Sequence, residues 1–214
     1  MLLACHVWSY NNLTLEDAFG TIARLGFRHV DFGTGPHLHL NRAIADPHGE
    51  AGAIRRLLDR FDLSLTDFYV MLPHINAADP AERERELGLF EALLPFAAAL
   101  GTPGITVSPG LVQPDGPEHS RARTVVALLR MLGAAEPTDL RVSFEPHMDS
   151  VAQTPEHALL LLEAVPGLSL TLDYAHFACQ GIEQAALGPL LEHVAHVQVR
   201  QARRGALQTA HGEG

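Results

Sequence analysis

Three short apolar runs in the second half of the chain each end in residues able to do chemistry. RVSFEPH ends in Glu145 and His147, LSLTLDYAHF carries Asp173 and His176, and VAHVQVRQA carries Gln198, Arg200 and Gln201. A carboxylate at the end of a buried strand is costly unless it is paired or coordinated. Two of them, each with a histidine two or three residues on, point to a divalent cation held by Glu145 and Asp173. Gln198 can add a neutral carbonyl oxygen to such a site. The competing readings are structural: Glu145 as the ion-pair partner of an arginine such as Arg200, and His176 as a core histidine bonded to a carbonyl. Strand alternation puts Gln198 and Arg200 on one face of their run and Val197 and Val199 on the other. His74, in the turn LPHIN, and His6, beside Trp8 after the first apolar run, are further polar groups at strand ends.

A cation beside a carboxylate suits proton movement on a carbon next to a carbonyl. The cation stabilises the enediolate that forms when the proton leaves. The carboxylate exchanges the proton on carbon.

The elements that must position these residues alternate strictly. The sequence predicts a strand over 2–9 and a helix opened by Thr14 with Asp17 three residues on, closed by Gly26. A strand at 28–33 follows, then a Gly/Pro/His loop and a helix from Pro47 to Phe61. The GTG at 33–35 lacks the third glycine and the helix of a dinucleotide fingerprint. The third strand covers 63–72. Asp79 and Pro80 then start a long helix to Leu100, in which Pro95 predicts a kink or local unwinding. GITVSPG (104–110) is the fourth strand, a helix lies near 117–134, and the fifth strand is 141–145. Thr154 and Pro155 open a helix that VPG ends; the sixth strand runs to Asp173. A helix over 181–193 and a seventh strand over 195–201 complete the pattern. Strict alternation implies parallel strands joined by right-handed crossovers. Polar residues at the carboxyl ends of several strands favour a TIM-type (β/α) barrel over an open doubly wound sheet. Seven βα units are visible over a single domain, 1–214, and an eighth strand is absent from the sequence. The open strand edges imply pairing with another copy of the chain or cover from a loop.

The composition narrows the partners. In 214 residues, 47% are hydrophobic and 19% charged, as in a globular domain. The formal net charge of -10, with no dense Lys/Arg cluster, disfavours nucleic acid. Two cysteines, Cys5 and Cys179, make no disulfide framework, and the expected location is the cytoplasm. MLLAC lacks the basic and apolar regions of a signal peptide, and no apolar run approaches the roughly 20 residues of a membrane span.

Glu145, the run Asp173-Tyr174-Ala175-His176, and Val197-Gln198-Val199-Arg200-Gln201 together resemble the sugar-phosphate isomerase/epimerase family of xylose-isomerase-like barrels. LPHIN before a DP-capped helix, the ALG that ends that helix, and VSPG on strand four extend the likeness over essentially the full length. The resemblance implies one divalent metal held by a Glu, an Asp, a His and a second Glu from strands five to eight. Glu145 and Asp173 match the first two ligands, and His176 matches a substrate-contacting histidine. The strand-seven histidine falls on Gln198, Arg200 takes a lysine's place and Gln201 an aspartate's. The second glutamate is expected on strand eight, beyond the turn in which the sequence stops at Gly214, so the chain is expected to be poorly active or inert if it ends there. The implied activity is a metal-dependent isomerase or epimerase of a small sugar or hydroxy-ketone. It would use Glu145 as ligand and acid/base, Glu145, Asp173 and Gln198 as the metal set, and Mn, Mg, Zn or Co as the metal. His176 and Arg200 would hold substrate oxygens, with His147, His74 and His6 as further candidates. The alternative is a non-catalytic sugar- or metal-binding barrel. An apurinic endonuclease of the endonuclease IV type is disfavoured, because its extra zinc histidines fall near Val70 and on Ser108.

Overall fold

The computed structural model describes residues 2–213. Seven strands, β1 (Ala4–His6), β2 (His29–Gly33), β3 (Ser64–Val70), β4 (Gly104–Val107), β5 (Arg141–Phe144), β6 (Ser169–Asp173) and β7 (Val194–Gln198), form one sheet in the order of the chain. The β1–β2, β2–β3, β5–β6 and β6–β7 pairs are parallel. Between them run α1 (Leu15–Arg24), α2 (Leu40–Ala45), α3 (Pro47–Arg60), α4 (Pro80–Leu100), α5 (Pro117–Ala135), α6 (Pro155–Ala164) and α7 (Tyr174–Gln180). A strand order that never reverses is that of a TIM-type succession of βα units; a doubly wound sheet reverses at its switch point. Among the described residues there is no eighth strand.

The helix starts follow local chemistry. Thr14 Oγ1 accepts from the Asp17 N–H at 3.1 Å to cap α1, Asp46 Oδ1 accepts from the Gly49 N–H at 3.0 Å to cap α3, and Thr154 does the same for α6. Proline fills the first turn of both α3 and α6, where no N–H is missed. α4 continues through Pro95, which lies on its exposed face, where water can replace the lost backbone bond.

Several elements differ from the sequence reading, and β4 ends at Val107 and not at Gly110. β1 is short, and residues 7–10 turn into a 3-10 helix whose entry is set by the His6 ring accepting from the Trp8 N–H. Leu40–Ala45, expected as loop, is helical. The helix expected over 181–193 is a 3-10 helix over Gln184–His193 that contains Pro189, and before it an unexpected helix, α7, starts directly at Tyr174 and is ended by Gly181 at φ 76°. β7 ends at Gln198, so Arg200 and Gln201 lie beyond the ladder.

The chain divides into two compact units. The first comprises Met1–Met71, Leu89–Thr106 and Ala135–Arg141. Its core includes Phe19, Ile22, Val30, Phe32, Phe68 and Phe96, with Phe68 5.6 Å from Phe96 and 6.0 Å from Phe32 between ring centroids. It also buries two carboxylates that the apolar pattern of β2 and β3 did not flag. Asp31 and Asp67 are register partners; Asp31 accepts from the Thr66 hydroxyl, and Asp67 lies 3.6 Å from the Arg141 guanidinium.

The second unit comprises Leu72–Gly88, Val107–Ala134 and Val142–Gly214. Phe144, Leu161, Leu172 and Phe177 belong to its core. The loop after β4 is tied to LPHIN through Asn76, which is fully buried. Its Nδ2 donates to the Leu111 carbonyl at 2.8 Å, while its own backbone carbonyl accepts from Arg123 Nε at 2.8 Å. Gly110 leaves the room: a Cβ there would stand 2.5 Å from Asn76 Cγ. Asn76→Ala is therefore expected to cost about 1–3 kcal/mol, the penalty of stranding a buried hydrogen-bonding partner. Urea denaturation measures it, and a loss below about 0.5 kcal/mol would show that the tie carries no load.

Candidate metal centre

β5, β6 and the start of α7 bring three ligating side chains together in the second unit. Glu145, the residue after β5, is 4% exposed, and its backbone N–H donates to the Val107 carbonyl at 3.0 Å. Asp173 closes β6 and is 1% exposed. The same aspartate caps α7, since Oδ1 accepts from the Ala175 N–H at 2.9 Å. This cap fixes the carboxylate and also puts His176 on the first turn of α7, facing back over it. His176 Nε2 lies 3.5 Å from Glu145 Oε1 and 3.8 Å from Asp173 Oδ2. One ligand atom from each of Glu145, Asp173 and His176 falls within 4.8 Å of the others, close enough to share a cation.

Arg200 reaches into the same place. Its Nη2 donates to Asp173 Oδ2 at 2.5 Å and lies 3.0 Å from His176 Nε2. The arginine that could have neutralised Glu145 thus pairs with Asp173. Burial pushes the Asp173 carboxyl up; the Arg200 charge opposes that rise, and the Glu145 charge adds to it. Gln198 is the register partner of Asp173 on β7, which puts its side chain on the face that Asp173 occupies. Half-burial of Gln198 and Arg200 against the exposure of Val197 and Val199 follows the expected alternation.

His147 is committed elsewhere. Its Nε2 is 2.8 Å from Ser108 Oγ and its Nδ1 is 2.8 Å from the Met148 carbonyl. The carbonyl can only accept, so Nδ1 carries the proton and Nε2 accepts from the serine. Burial pushes the imidazole down, and it is neutral at pH 7. Its ring centroid stands 5.7 Å from that of His176. Ser108 drew notice in the sequence only as a place without a histidine; a serine closing an apolar strand two residues before a glycine was its one signal. His74 faces the acidic start of α4: its N–H donates to Glu86 Oε2 at 2.6 Å, and its ring is 4.0 Å from Glu82. His6 belongs to the first unit, edge-on to Trp8 at 5.3 Å.

The donor set suits a divalent cation in number and kind, with two carboxylates and an imidazole from the chain and an amide oxygen on the same face. No helix among the described residues is long and apolar enough to cross a membrane.

Comparison with known proteins agrees with the geometry. A family model described as xylose isomerase-like TIM barrel matches residues 19–212. Among solved structures, D-psicose 3-epimerase from Clostridium cellulolyticum H10, determined with D-tagatose, superposes with a TM-score of 0.77 at 13% identity, covering 94% of this chain and 73% of that one. The IOLI protein, determined with a binding zinc atom, gives 0.77 at 17% identity over 96% and 76%. The probable 3-DHS dehydratase AsbF from Bacillus anthracis gives 0.76 at 18% identity over 94% and 75%. A curated relative, the hopanoid transporter HpnN of Burkholderia multivorans (strain ATCC 17616 / 249), is 31% identical over 130 residues. That match takes in 55% of this chain, which spans 14% of the transporter's length.

Proposed function

Because the chain belongs to the xylose isomerase-like TIM-barrel family, we propose that it is a divalent-metal-dependent isomerase or epimerase of a small sugar or hydroxy-ketone. The observation that carries this reading is the meeting of Glu145, Asp173 and His176 within 4.8 Å at the ends of adjacent strands. Glu145, Asp173 and His176 would hold the cation, with the amide oxygen of Gln198 on the same face, and the cation, of the Mn, Mg, Zn or Co class, would supply Lewis acidity for the charge that develops when a proton leaves carbon.

The remaining work falls to the chain's own side chains. Glu145 takes the proton from the carbon next to the carbonyl and returns it. Its burial beside the ends of apolar strands keeps bulk water away from that transfer. Arg200 orients substrate oxygens, since its guanidinium presents donors beside the group. His147 acts as a fixed neutral wall, with both ring nitrogens engaged. His74 is a candidate for an outer hydroxyl contact.

A second reading is a barrel that binds a sugar or a metal without turnover. Gln198 and the pairing of Arg200 with Asp173 favour it, since a neutral ligand and an already paired carboxylate leave less at the site for turnover than for binding.

The two readings separate in D₂O. With Mn²⁺ or Mg²⁺ supplied and a panel of ketoses and their phosphates, the enzyme reading expects deuterium to enter the α-carbon of at least one panel member, seen by NMR as loss of the proton signal. Exchange can appear without net isomerisation if only one face of the substrate is served. Tight metal binding with no exchange on any member would establish the binding barrel instead.

A further inference from the structure

The position of Arg200 has a consequence for the same site, and it rests on the metal-centre reading above. A cation shared by Asp173 Oδ2 and His176 Nε2 would sit about 2 Å from each. Those two atoms are 3.8 Å apart, and Arg200 Nη2 already lies 2.5 Å from the first and 3.0 Å from the second. The guanidinium nitrogen and a divalent ion therefore need the same lone pairs and the same space. We propose that Arg200 is a tethered competitor of the metal, so that a divalent ion binds only as the guanidinium leaves Asp173 and His176, and Arg200 thereby sets the metal affinity.

The grip of Arg200 is suited to release. It holds Asp173 through one nitrogen only. Elsewhere in the same unit Arg123 clamps Asp115 with two bonds of 2.7 and 2.8 Å, and Arg130 clamps Glu84 with two of 2.6 and 2.8 Å. Two-pronged pairs are the strong form of this interaction, and Arg200 does not make one. Its Nε is buried without a hydrogen-bond partner, so the pair leaves a donor unsatisfied. Arg200 also stands two residues beyond the end of β7, outside the ladder. Charge acts in the same direction. Glu145 and Asp173 carry at most two negative charges, which a divalent ion alone neutralises, and a guanidinium held against that ion would be repelled.

Calorimetric titration with Mn²⁺ at pH 7.5 tests this on three 214-residue chains: the unaltered one, Arg200→Gln and Arg200→Lys. The expected result is metal binding about 10- to 100-fold tighter in R200Q, a coupling of ordinary size between two exclusive ligands. R200K, which keeps the competing charge, should stay near the natural chain. Equal or weaker affinity in R200Q, with clear binding in the natural chain, would overturn the competition and leave the metal centre standing. No binding in any of the three would overturn the metal centre itself and the inference with it. Should R200Q not fold, the natural chain still decides the matter. The Arg200 Nε–H resonance, assigned by its loss in R200K, should move toward the position of a free arginine as Zn²⁺ is added. A resonance unmoved at saturating Zn²⁺ would refute the exchange of partners.

Discussion

Glu145→Gln should slow α-proton exchange by about 10²- to 10⁴-fold, the range that a positioned acid/base supplies. Glutamine has the shape of glutamate, so the packing of a residue only 4% exposed is preserved. What is lost is a negative ligand and the one carboxylate of the group that no arginine neutralises, since Arg200 is spent on Asp173. Metal affinity should fall as well, and exchange is therefore compared at saturating cation. Stability should hold or rise slightly, because a buried charge disappears while the Arg200–Asp173 pair remains. Circular dichroism checks the fold and NMR in D₂O reads the exchange rate. Exchange within about threefold of the natural protein, at saturating metal, would remove Glu145 from the proton path.

The sequence located the carboxylates but not their partners. Glu145 and Asp173 were legible because an apolar strand that ends in an acid needs a reason, and β5 and β6 supplied two such ends next to each other. The placement of Asp173 as both strand end and helix cap was not legible, because the stretch after it reads equally as loop until the Ala175 N–H is seen to bond the carboxylate. Arg200 was visible as a charge near two acids, and sequence order ranks neither of them as its partner. The distances chose Asp173. Alternation correctly put Val197 and Val199 on one face, yet they are 52% and 88% exposed. A period of two residues assigns side chains to faces and says nothing of what covers a face. The helix read over 181–193 is a 3-10 helix from Gln184 that contains Pro189, and the short α7 between Asp173 and Gly181 was not read, because seven residues carry too little periodicity to mark a helix.

Gly33→Ala should destabilise the protein by about 3 kcal/mol or more, at the upper end of what overpacking costs. The glycine was read first as part of GTG, a near-miss for a phosphate loop. Its reason lies instead in the first unit, where Gly33 is the register partner of Tyr69 at the end of β2. A Cβ on Gly33 would stand 2.2 Å from the Tyr69 carbonyl oxygen and 2.8 Å from its carbon. That oxygen is already taken, as it accepts from the Thr34 N–H at 2.7 Å. Backbone cannot swing aside as the end of a flexible side chain can, so the strands must part or the turn at Thr34 must break. The turn in turn holds other groups: the Thr34 carbonyl accepts from the Trp8 indole at 2.9 Å, and its hydroxyl accepts from the Met71 N–H at 2.9 Å. The strain should thus reach β1 and the end of β3 together. Gly88→Ala, in α4 with nothing within 4 Å of the added methyl, is the control and should be neutral or stabilising by up to about 1 kcal/mol. Thermal unfolding of both variants separates them, with the midpoint of G33A expected about 6–12 °C below that of the natural chain. A loss in G33A no larger than that in G88A would mean that β2 and β3 have slack at their carboxyl ends, and that glycine is not required where these two strands meet.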